Sequence, residues 1–426
     1  MRDGTIVVAG ASLAGLRGAE ALRAGGFSGR LVLVGDEPHL PYDRPPLSKH
    51  VLTGEIAPER TTLPGVGTLA AEWRLGTPAV GLDRAGRVLL LAGGERLPFD
   101  RLLIATGARA RPWPEPAAAA LAGVHTLRSR DDAAALAAAL AARPERVLIL
   151  GAGFLGCEAA SSIRALGLPV TVVDPAPSPL AGALGQVIGG FVAGRMEGAG
   201  IDLRTGTEVT RLEGEDGRVR RARLADGGTI PADLVVVALG AVRNTDWLAG
   251  SGLDADEGGL SCDRACRALD EAGRPDDAIF AAGDVARFPH PLDGDRPVAL
   301  EHWGNAVAQA AHAARAMLAG PEAAGPYAEV PAFWSNQFGL TIKSLGLTEG
   351  ADAVAIVQGD PRSARFLAAY GREGRTVAAV SINAGRWLPA YEGAIREGAP
   401  FPPITGGADQ PRPKPVPPGL PAPQPA

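Results

Sequence analysis

Apolar positions along this chain change their period repeatedly, and the changes mark its elements. Ile6-Val7-Val8-Ala9 is a continuous apolar run, as in a strand covered on both faces. It meets Gly10-Ala11-Ser12-Leu13-Ala14-Gly15, then a segment of helical period, then a second apolar run that ends at Asp36. The order predicts a strand, a tight glycine turn, a helix and a parallel strand. The same order returns at Val147-Leu148-Ile149-Leu150, which runs into Gly151-Ala152-Gly153-Phe154-Leu155-Gly156. A helical segment follows, and then Val170 to Val173, ending on Asp174.

Between and beyond these units the pattern is mixed. Thr77 to Asp83 and Arg87 to Leu91 read as meander strands, and Phe99 to Gly107 as a buried strand ending in a turn. Arg111-Pro112-Trp113-Pro114-Glu115-Pro116 reads as a linker, and Asp131 to Ala142 as an alanine-rich helix. Val235 to Gly240 and Ala278 to Val285 are apolar strands closed by glycine turns, and Asn305 to Leu318 is a long amphipathic helix. From Pro326 the character shifts to mixed strands at 353–358, 364–370 and 376–382. The proline-rich stretch after Phe401 predicts disorder. The unit 147–239 is thus inserted into a domain that starts at residue 1 and finishes near residue 320.

A chain of 426 residues with 46% hydrophobic content can build two or three cored domains. Its net charge of −5 does not suit a nucleic-acid or anionic-membrane partner. No 18-residue apolar span or signal-peptide pattern is visible, so a cytoplasmic location is expected. Cys157, Cys262 and Cys266 exclude a disulfide scaffold. The last two lie in SCDRAC and read as reduced thiols in or beside a loop, with no further ligands for a metal nearby. Lysine occurs only at 49, 343 and 414, which makes Lys49 conspicuous beside the prolines of Pro38 to Pro46. Those prolines delay any helix until about Leu47.

The two glycine turns carry the candidate chemistry. Amides at a helix N-terminus attract a pyrophosphate, and the helix dipole adds to the attraction. Asp36 falls 21 positions after Gly15, where a carboxylate is needed for a ribose hydroxyl. Ser12 replaces the second glycine of the pattern, but it is small enough for close backbone approach. The second turn is a complete GxGxxG, and Asp174 follows Gly156 by 18 residues. A carboxylate there accepts from a 2′-hydroxyl and repels a 2′-phosphate, and the following PAPSPL supplies no arginine, so NADH is expected over NADPH. Two dinucleotide folds imply two dinucleotides, hence an electron-transfer flavoenzyme.

GASLAG (10–15), LVGDEPHLPYDRPPLSK (33–49), LLIATGARARP (102–112), GAGFLGCEAAS (151–161), ALGAVRN (238–244), AAGDVARF (281–288), LEHWGNAVAQA (300–310) and VPAFWSNQFGL (330–340) together resemble the two-dinucleotide flavoprotein reductases of the glutathione-reductase type. Within these, the chain is similar to the FAD-dependent ferredoxin reductases of the putidaredoxin and rhodocoxin reductase type. The resemblance implies an α/β fold with two Rossmann-like dinucleotide-binding domains, the NAD domain inserted in the FAD domain, plus a C-terminal α+β domain. The implied divisions are 1–110 and 240–322 for FAD, 111–239 for NAD, 323–400 for the C-terminal domain and 401–426 for a disordered tail.

Carried over position by position, the FAD contacts implied are Gly10, Ser12, Ala14, Gly15, Asp36, Lys49, Val80, Thr106, Gly107, Arg128, Gly283, Asp284 and Trp303. The NAD contacts implied are Gly151, Gly153, Phe154, Leu155, Gly156, Glu158, Asp174 and Gly240. Read without the family, Trp303 is a core aromatic, Asp284 a turn residue or cap, and Glu158 a first-turn acid favoured by the helix dipole. With it, Lys49 and Glu158 become the pair nearest the chemistry, a lysine beside flavin N5 and an acid facing the nicotinamide. Disulfide reductases of this type carry a CxxxxC pair after the FAD strand, whereas this chain has no cysteine before 157.

Without a sulfur relay electrons must leave the flavin directly, which suits a [2Fe–2S] ferredoxin that feeds a cytochrome P-450 or Rieske oxygenase. The alternatives are an NADH oxidase, a quinone or small-acceptor reductase, or a redox-switch flavoprotein resembling apoptosis-inducing factor. The last would favour basic surface blocks, which are missing. No nucleic-acid or membrane partner and no metal is expected. Arg44, Arg287 and Arg296 are candidate contacts for an acidic ferredoxin.

Overall fold

The computed structural model describes residues 2–404 and 414–415. The chain divides into two compact units. One holds residues 1–43, 62–109 and 242–333, and the other holds 44–61, 110–241 and the stretch from 334 onward.

The first unit is built on a six-stranded sheet. Its order is Arg267–Leu269, Pro275–Ala281, Arg101–Ile104, β1 (Thr5–Ala9), β2 (Arg30–Val34) and Glu72–Arg74. All neighbours are parallel except the pair formed by Arg267–Leu269 and Pro275–Ala281. Ile6, Val7, Val8 and Ala9 are fully buried, which is why β1 is apolar from Ile6 onward rather than alternating. Helix α1 (Leu13–Ala24) buries Leu16, Ala19 and Leu22 and lies against the helix Trp303–Ala319. Gly18 sets the approach of α1 to the strand Arg101–Ile104, since a Cβ there would come within 2.5 Å of Leu103 Cδ2. The expected meander is present as Ala79–Asp83, Val88–Leu91 and Arg96–Pro98.

The second unit repeats the design with a five-stranded parallel sheet. Its order is Asp202–Thr205, Val170–Asp174, Val147–Leu150, Leu234–Val237 and Val124–Thr126. The helix Arg130–Ala141 opens on a capping box in which Ser129 and Asp132 satisfy each other's backbone amides. A small antiparallel sheet of Val209–Glu215, Arg218–Leu224 and Thr229–Pro231 packs beside it. The segment read as a linker differs from expectation: Trp113 is 7% exposed and joins the core formed by Leu148, Leu150 and Val235. Prolines on both sides stiffen the backbone, and the indole supplies enough apolar area to anchor it.

The C-terminal part of this unit is a sheet ordered Ala332–Gln337, Leu340–Gly346, Arg375–Ile382, Arg365–Arg372, Ala353–Asp360 and Lys414–Pro415, antiparallel from Leu340–Gly346 onward in that order. The predicted strands at 353–358, 364–370 and 376–382 correspond to its inner members. Tyr370 donates to Leu184 O at 2.7 Å, tying the sheet to the helix Ala181–Gly198. Most of the stretch expected to be disordered lies outside the described residues, although Lys414–Pro415 pair with Ala355 and Ile356. Among the described residues, no helix is long and apolar enough to cross a membrane.

Candidate functional site: two glycine turns and a buried ion pair

The first turn is tight by necessity. Gly10 has φ +121°, and a Cβ on it would lie 2.0 Å from Ala105 O. A Cβ on Gly15 would lie 1.8 Å from Gly10 O. Only glycine fits either position. Ser12 opens α1 without using its hydroxyl as a cap, and Asp36 is exposed at the end of β2. These are the features a pyrophosphate and a ribose require: amides at a helix start, a small residue beside them, and an accessible carboxylate.

Three further segments of the first unit belong with this turn. Thr106 and Asn244 exchange side-chain-to-backbone hydrogen bonds of 2.9 Å each, while Gly107 (φ +64°) accepts from Asn244 N. Gly283 N donates to the fully buried Gln309 Oε1 at 2.9 Å, and a Cβ on Gly283 would lie 2.9 Å from Ala14 Cβ. The Gly283–Asp284 turn is therefore pinned beside α1. Trp303 Nε1 donates to Asp43 Oδ1 at 2.9 Å. His302, which starts the same helix, leaves Nδ1 without a hydrogen-bond partner and packs its ring on Phe333. Burial pushes its pKa down to about 4, against the opposing pull of Asp284. Val80 is 55% exposed, an apolar side chain on the outside of the meander.

The second turn has the same geometry in the other unit. Gly151 has φ +102° with Ala238 O at 2.4 Å from a Cβ, and Gly156 would bring a Cβ to 1.9 Å from Gly151 O. Gly153 is exposed, and a Cβ there would meet nothing within 4 Å. Phe154 and Leu155 form the half-buried first turn of the helix Phe154–Ala165. Asp174 accepts from Ala152 N at 2.6 Å and from Ala176 N at 2.7 Å, so it shapes the turn as well as facing it. Gly240 has φ +87° and its carbonyl accepts from Arg111 N at 3.0 Å.

Lys49 and Glu158 meet. Lys49 sits on a short π-helix, Leu47–Val51, closed by Val51 N donating to Pro46 O at 3.1 Å. Such turns are rare and concentrate at functional sites. Lys49 Nζ lies 2.5 Å from Glu158 Oε2, with 14% and 10% of the two side chains exposed. Lys49 also donates to Pro45 O at 3.1 Å. Glu158 Oε2 accepts from Ser48 Oγ at 2.6 Å, and Oε1 accepts from Ser335 Oγ at 2.6 Å. The desolvation of two charges is offset here by a close pair and two hydroxyl donors. The sequence reading named Lys49 and Glu158 but singled out neither serine. Ser48 stands inside PPLSK and Ser335 inside FWSNQ, both segments quoted for the resemblance, and an ordinary serine carries no signal of its own.

The FAD candidates divide between the units. Gly10, Ser12, Ala14, Gly15, Asp36, Val80, Thr106, Gly107, Gly283, Asp284 and Trp303 lie in the first, while Lys49 and Arg128 lie in the second. The carbonyl of Arg128 accepts from Arg44 Nη1 at 2.7 Å. Arg44 is thus held internally. Arg287 binds Asp256 at 3.0 Å and Ser261 at 2.8 Å, whereas Arg296, paired with Asp293, is 66% exposed. Cys157, Cys262 and Cys266 are buried free thiols whose pKa values burial pushes up, which makes them poor nucleophiles. Among the described residues no His, Cys, Asp and Glu cluster could hold a metal ion.

Comparison with known proteins identifies the family. The pyridine nucleotide-disulphide oxidoreductase family matches residues 4–310, and the reductase C-terminal family matches residues 332–409. The ferredoxin–NAD(+) reductase component of the anthranilate 1,2-dioxygenase system of Burkholderia cepacia is 38% identical over 400 residues, covering 92% of this chain and 94% of that one. Rhodocoxin reductase of Rhodococcus erythropolis is 38% identical over 370 residues, 85% of this chain and 82% of its own. The crystal structure of a covalent putidaredoxin reductase–putidaredoxin complex superposes with a TM-score of 0.85 at 31% identity, covering 93% and 94% of the two chains.

Proposed function

Because the chain belongs to the pyridine nucleotide-disulphide oxidoreductase family, we propose that it carries electrons from NADH through FAD to a [2Fe–2S] ferredoxin serving a cytochrome P-450 or Rieske oxygenase. The observation that carries the reading is the Lys49–Glu158 pair in a chain with no cysteine before 157. A sulfur relay is missing, and a buried cation stands on the segment that follows the first nucleotide fold. Bound FAD would accept two electrons from the nicotinamide and release them one at a time to an iron–sulfur cluster.

The residues would then act as follows. The turn Gly10–Gly15 holds the FAD pyrophosphate on the α1 amides, and Asp36 accepts from its ribose. Asp284 and Trp303 hold the other end of the cofactor, at a turn fixed by Gln309. The domain divisions are 1–110 with 240–322 for FAD, 111–239 for NAD and 323–400 for the C-terminal domain. The turn Gly151–Gly156 receives NADH. Asp174 keeps one carboxylate oxygen on Ala152 N and the other on Ala176 N, and offers its remaining lone pairs to the 2′-hydroxyl. A 2′-phosphate would meet that negative charge, so NADH is preferred to NADPH. Lys49, fixed by Glu158, supplies positive charge that favours the reduced anionic flavin. No proton need pass through either residue.

Stopped-flow reduction of the purified protein by NADH and by NADPH, followed by anaerobic mixing with a [2Fe–2S] ferredoxin, tests the reading. Fast bleaching by NADH and fast cluster reduction are expected. Fast bleaching followed by reaction only with oxygen or a quinone would replace the ferredoxin with a small acceptor.

A further inference from the structure

We propose that Ser335, on the first strand of the C-terminal sheet, is a positioning residue that orients the Lys49–Glu158 pair through a one-way chain of hydrogen bonds. The strand Ala332–Gln337 alternates, with Ser335 and Gln337 turned inward at 1% and 3% exposure and Trp334 and Asn336 outward. Gln337 Nε2 donates to Ser335 Oγ at 3.1 Å. A hydroxyl has one proton, and while its oxygen accepts from the amide, Ser335 donates that proton to Glu158 Oε1, 2.6 Å away. On the other oxygen, Ser48 Oγ at 2.6 Å and Lys49 Nζ at 2.5 Å point their protons the same way. Every donor converges on the carboxylate, which leaves Glu158 as acceptor only.

The consequence reaches Lys49. Glu158 is the fifth residue of the helix Phe154–Ala165, past the first turn where the sequence placed it, and has no freedom to swing while both oxygens are held. Lys49 has one further anchor besides this pair that does not come from its own neighbour Ser48, the carbonyl of Pro45 at 3.1 Å. Removing the Ser335 hydroxyl frees Oε1, loosens the carboxylate and lets the ammonium follow it. The C-terminal sheet is then part of the electron-transfer machinery and does more than cover it. The inference rests on the reading that Lys49 serves the flavin.

The test uses the full-length holoprotein with Ser335→Ala, Ser335→Thr and Ser335→Cys. The readouts are the limiting rate of flavin bleaching by NADH, the apparent Kd for NADH, the flavin midpoint potential and the thermal midpoint. For S335A the limiting rate should fall about fivefold to thirtyfold, as loss of one buried hydrogen bond to a charge implies, with Kd for NADH held within about twofold. The midpoint potential should move negative, because a cation is less well placed. S335T should restore rate and potential, and S335C, with its weak donor, should lie between.

A merely structural serine would lower the thermal midpoint of S335A and leave rate and potential alone, and that result overturns the proposal. If S335A does not fold, equal rates and potentials for S335C and wild type overturn it. The ferredoxin arm is separate. Wild-type protein that bleaches with NADH but reduces no ferredoxin defeats the functional reading while leaving the serine effect measurable.

Discussion

The two glycine turns are built alike at their inner positions and differently where a ligand would lie. Gly10 and Gly151 both have φ above +100°, and Gly15 and Gly156 both approach the carbonyl of the first glycine within 2 Å of a notional Cβ. At the middle position one turn has Ser12 and the other has Gly153 facing open space. The acids diverge too. Asp36 is exposed and, among the described residues, accepts only from the adjacent Glu37 N, whereas Asp174 clamps Ala152 N and Ala176 N. Two residues past the last glycine, Arg17 forms a half-buried pair with Glu20, while Glu158 forms a more deeply buried one with Lys49. The inner positions answer to the backbone, so they cannot vary. The outer positions answer to the ligand, and they are where the copies part.

Substitution at the inner positions should therefore have the largest effect. Gly156→Ala places a methyl against a backbone carbonyl, which cannot yield as a side chain end can. A loss of more than about 3 kcal/mol of stability is expected, with NADH reduction abolished. Gly15→Ala should instead abolish FAD retention. The ratio of flavin absorbance to protein, read beside NADH bleaching, separates the two. If both variants fail in the same way, the two turns do not hold different dinucleotides.

Next in size is the pair behind the second turn. Glu158→Ala strands the Lys49 ammonium at 14% exposure and should cost about 3 kcal/mol, measured by urea unfolding. Arg17→Ala should cost less than about 1 kcal/mol, since its i, i+3 pair keeps 24% and 30% of the two side chains in solvent. A similar cost at both sites would remove the distinction between a positional charge and a half-buried one.

The sequence displayed this asymmetry unevenly. Both turns, the parallel strands and the long helix at Trp303–Ala319 were legible because glycine spacing and apolar runs are local properties. Lys49 and Glu158 emerged as a pair only through the resemblance, since 109 residues separate them and neither spacing nor period can bring them together. Ser48 and Ser335 stayed invisible for the same reason: a hydroxyl gains meaning from the carboxylate it meets. The burial of Trp113 was not legible because its prolines signal irregular chain, and irregular chain can still bury an indole. The π-turn of Leu47–Val51 has no sequence pattern distinct from an ordinary short helix.

The acids give an intermediate effect. Asp174→Asn must present an amide nitrogen toward one of two backbone N–H donors, at a cost of about 1–3 kcal/mol. The same change removes the charge that repels a 2′-phosphate, so the NADH:NADPH ratio of kcat/KM should fall. Asp36→Asn should leave thermal stability of the apoprotein within about 0.5 kcal/mol, because its exposed carboxylate accepts from the neighbouring Glu37 amide, while FAD binds more weakly. Differential scanning fluorimetry of the apoproteins and FAD titration distinguish them. Equal destabilisation would mean that Asp36 also shapes its turn.

The smallest effect belongs to the middle position, and it tests the comparison most finely. Ser12 begins α1 with no hydrogen bond from its side chain to the helix, so Ser12→Gly should change stability by only about a few tenths of a kcal/mol. Its backbone is extended, at φ −113°, and glycine needs no new conformation there. What the variant loses is a hydroxyl beside the helix amides, and FAD affinity should fall by less than about threefold. The reciprocal Gly153→Ser puts a side chain into space that is open in the protein but close to the amides that would take a phosphate. Its φ of −72° accepts serine without strain, so the fold should be unaffected. The KM for NADH should rise severalfold while FAD content stays constant. An unchanged KM would mean that the second turn, like the first, has room for a serine, and that the difference between the copies carries no information about the ligand.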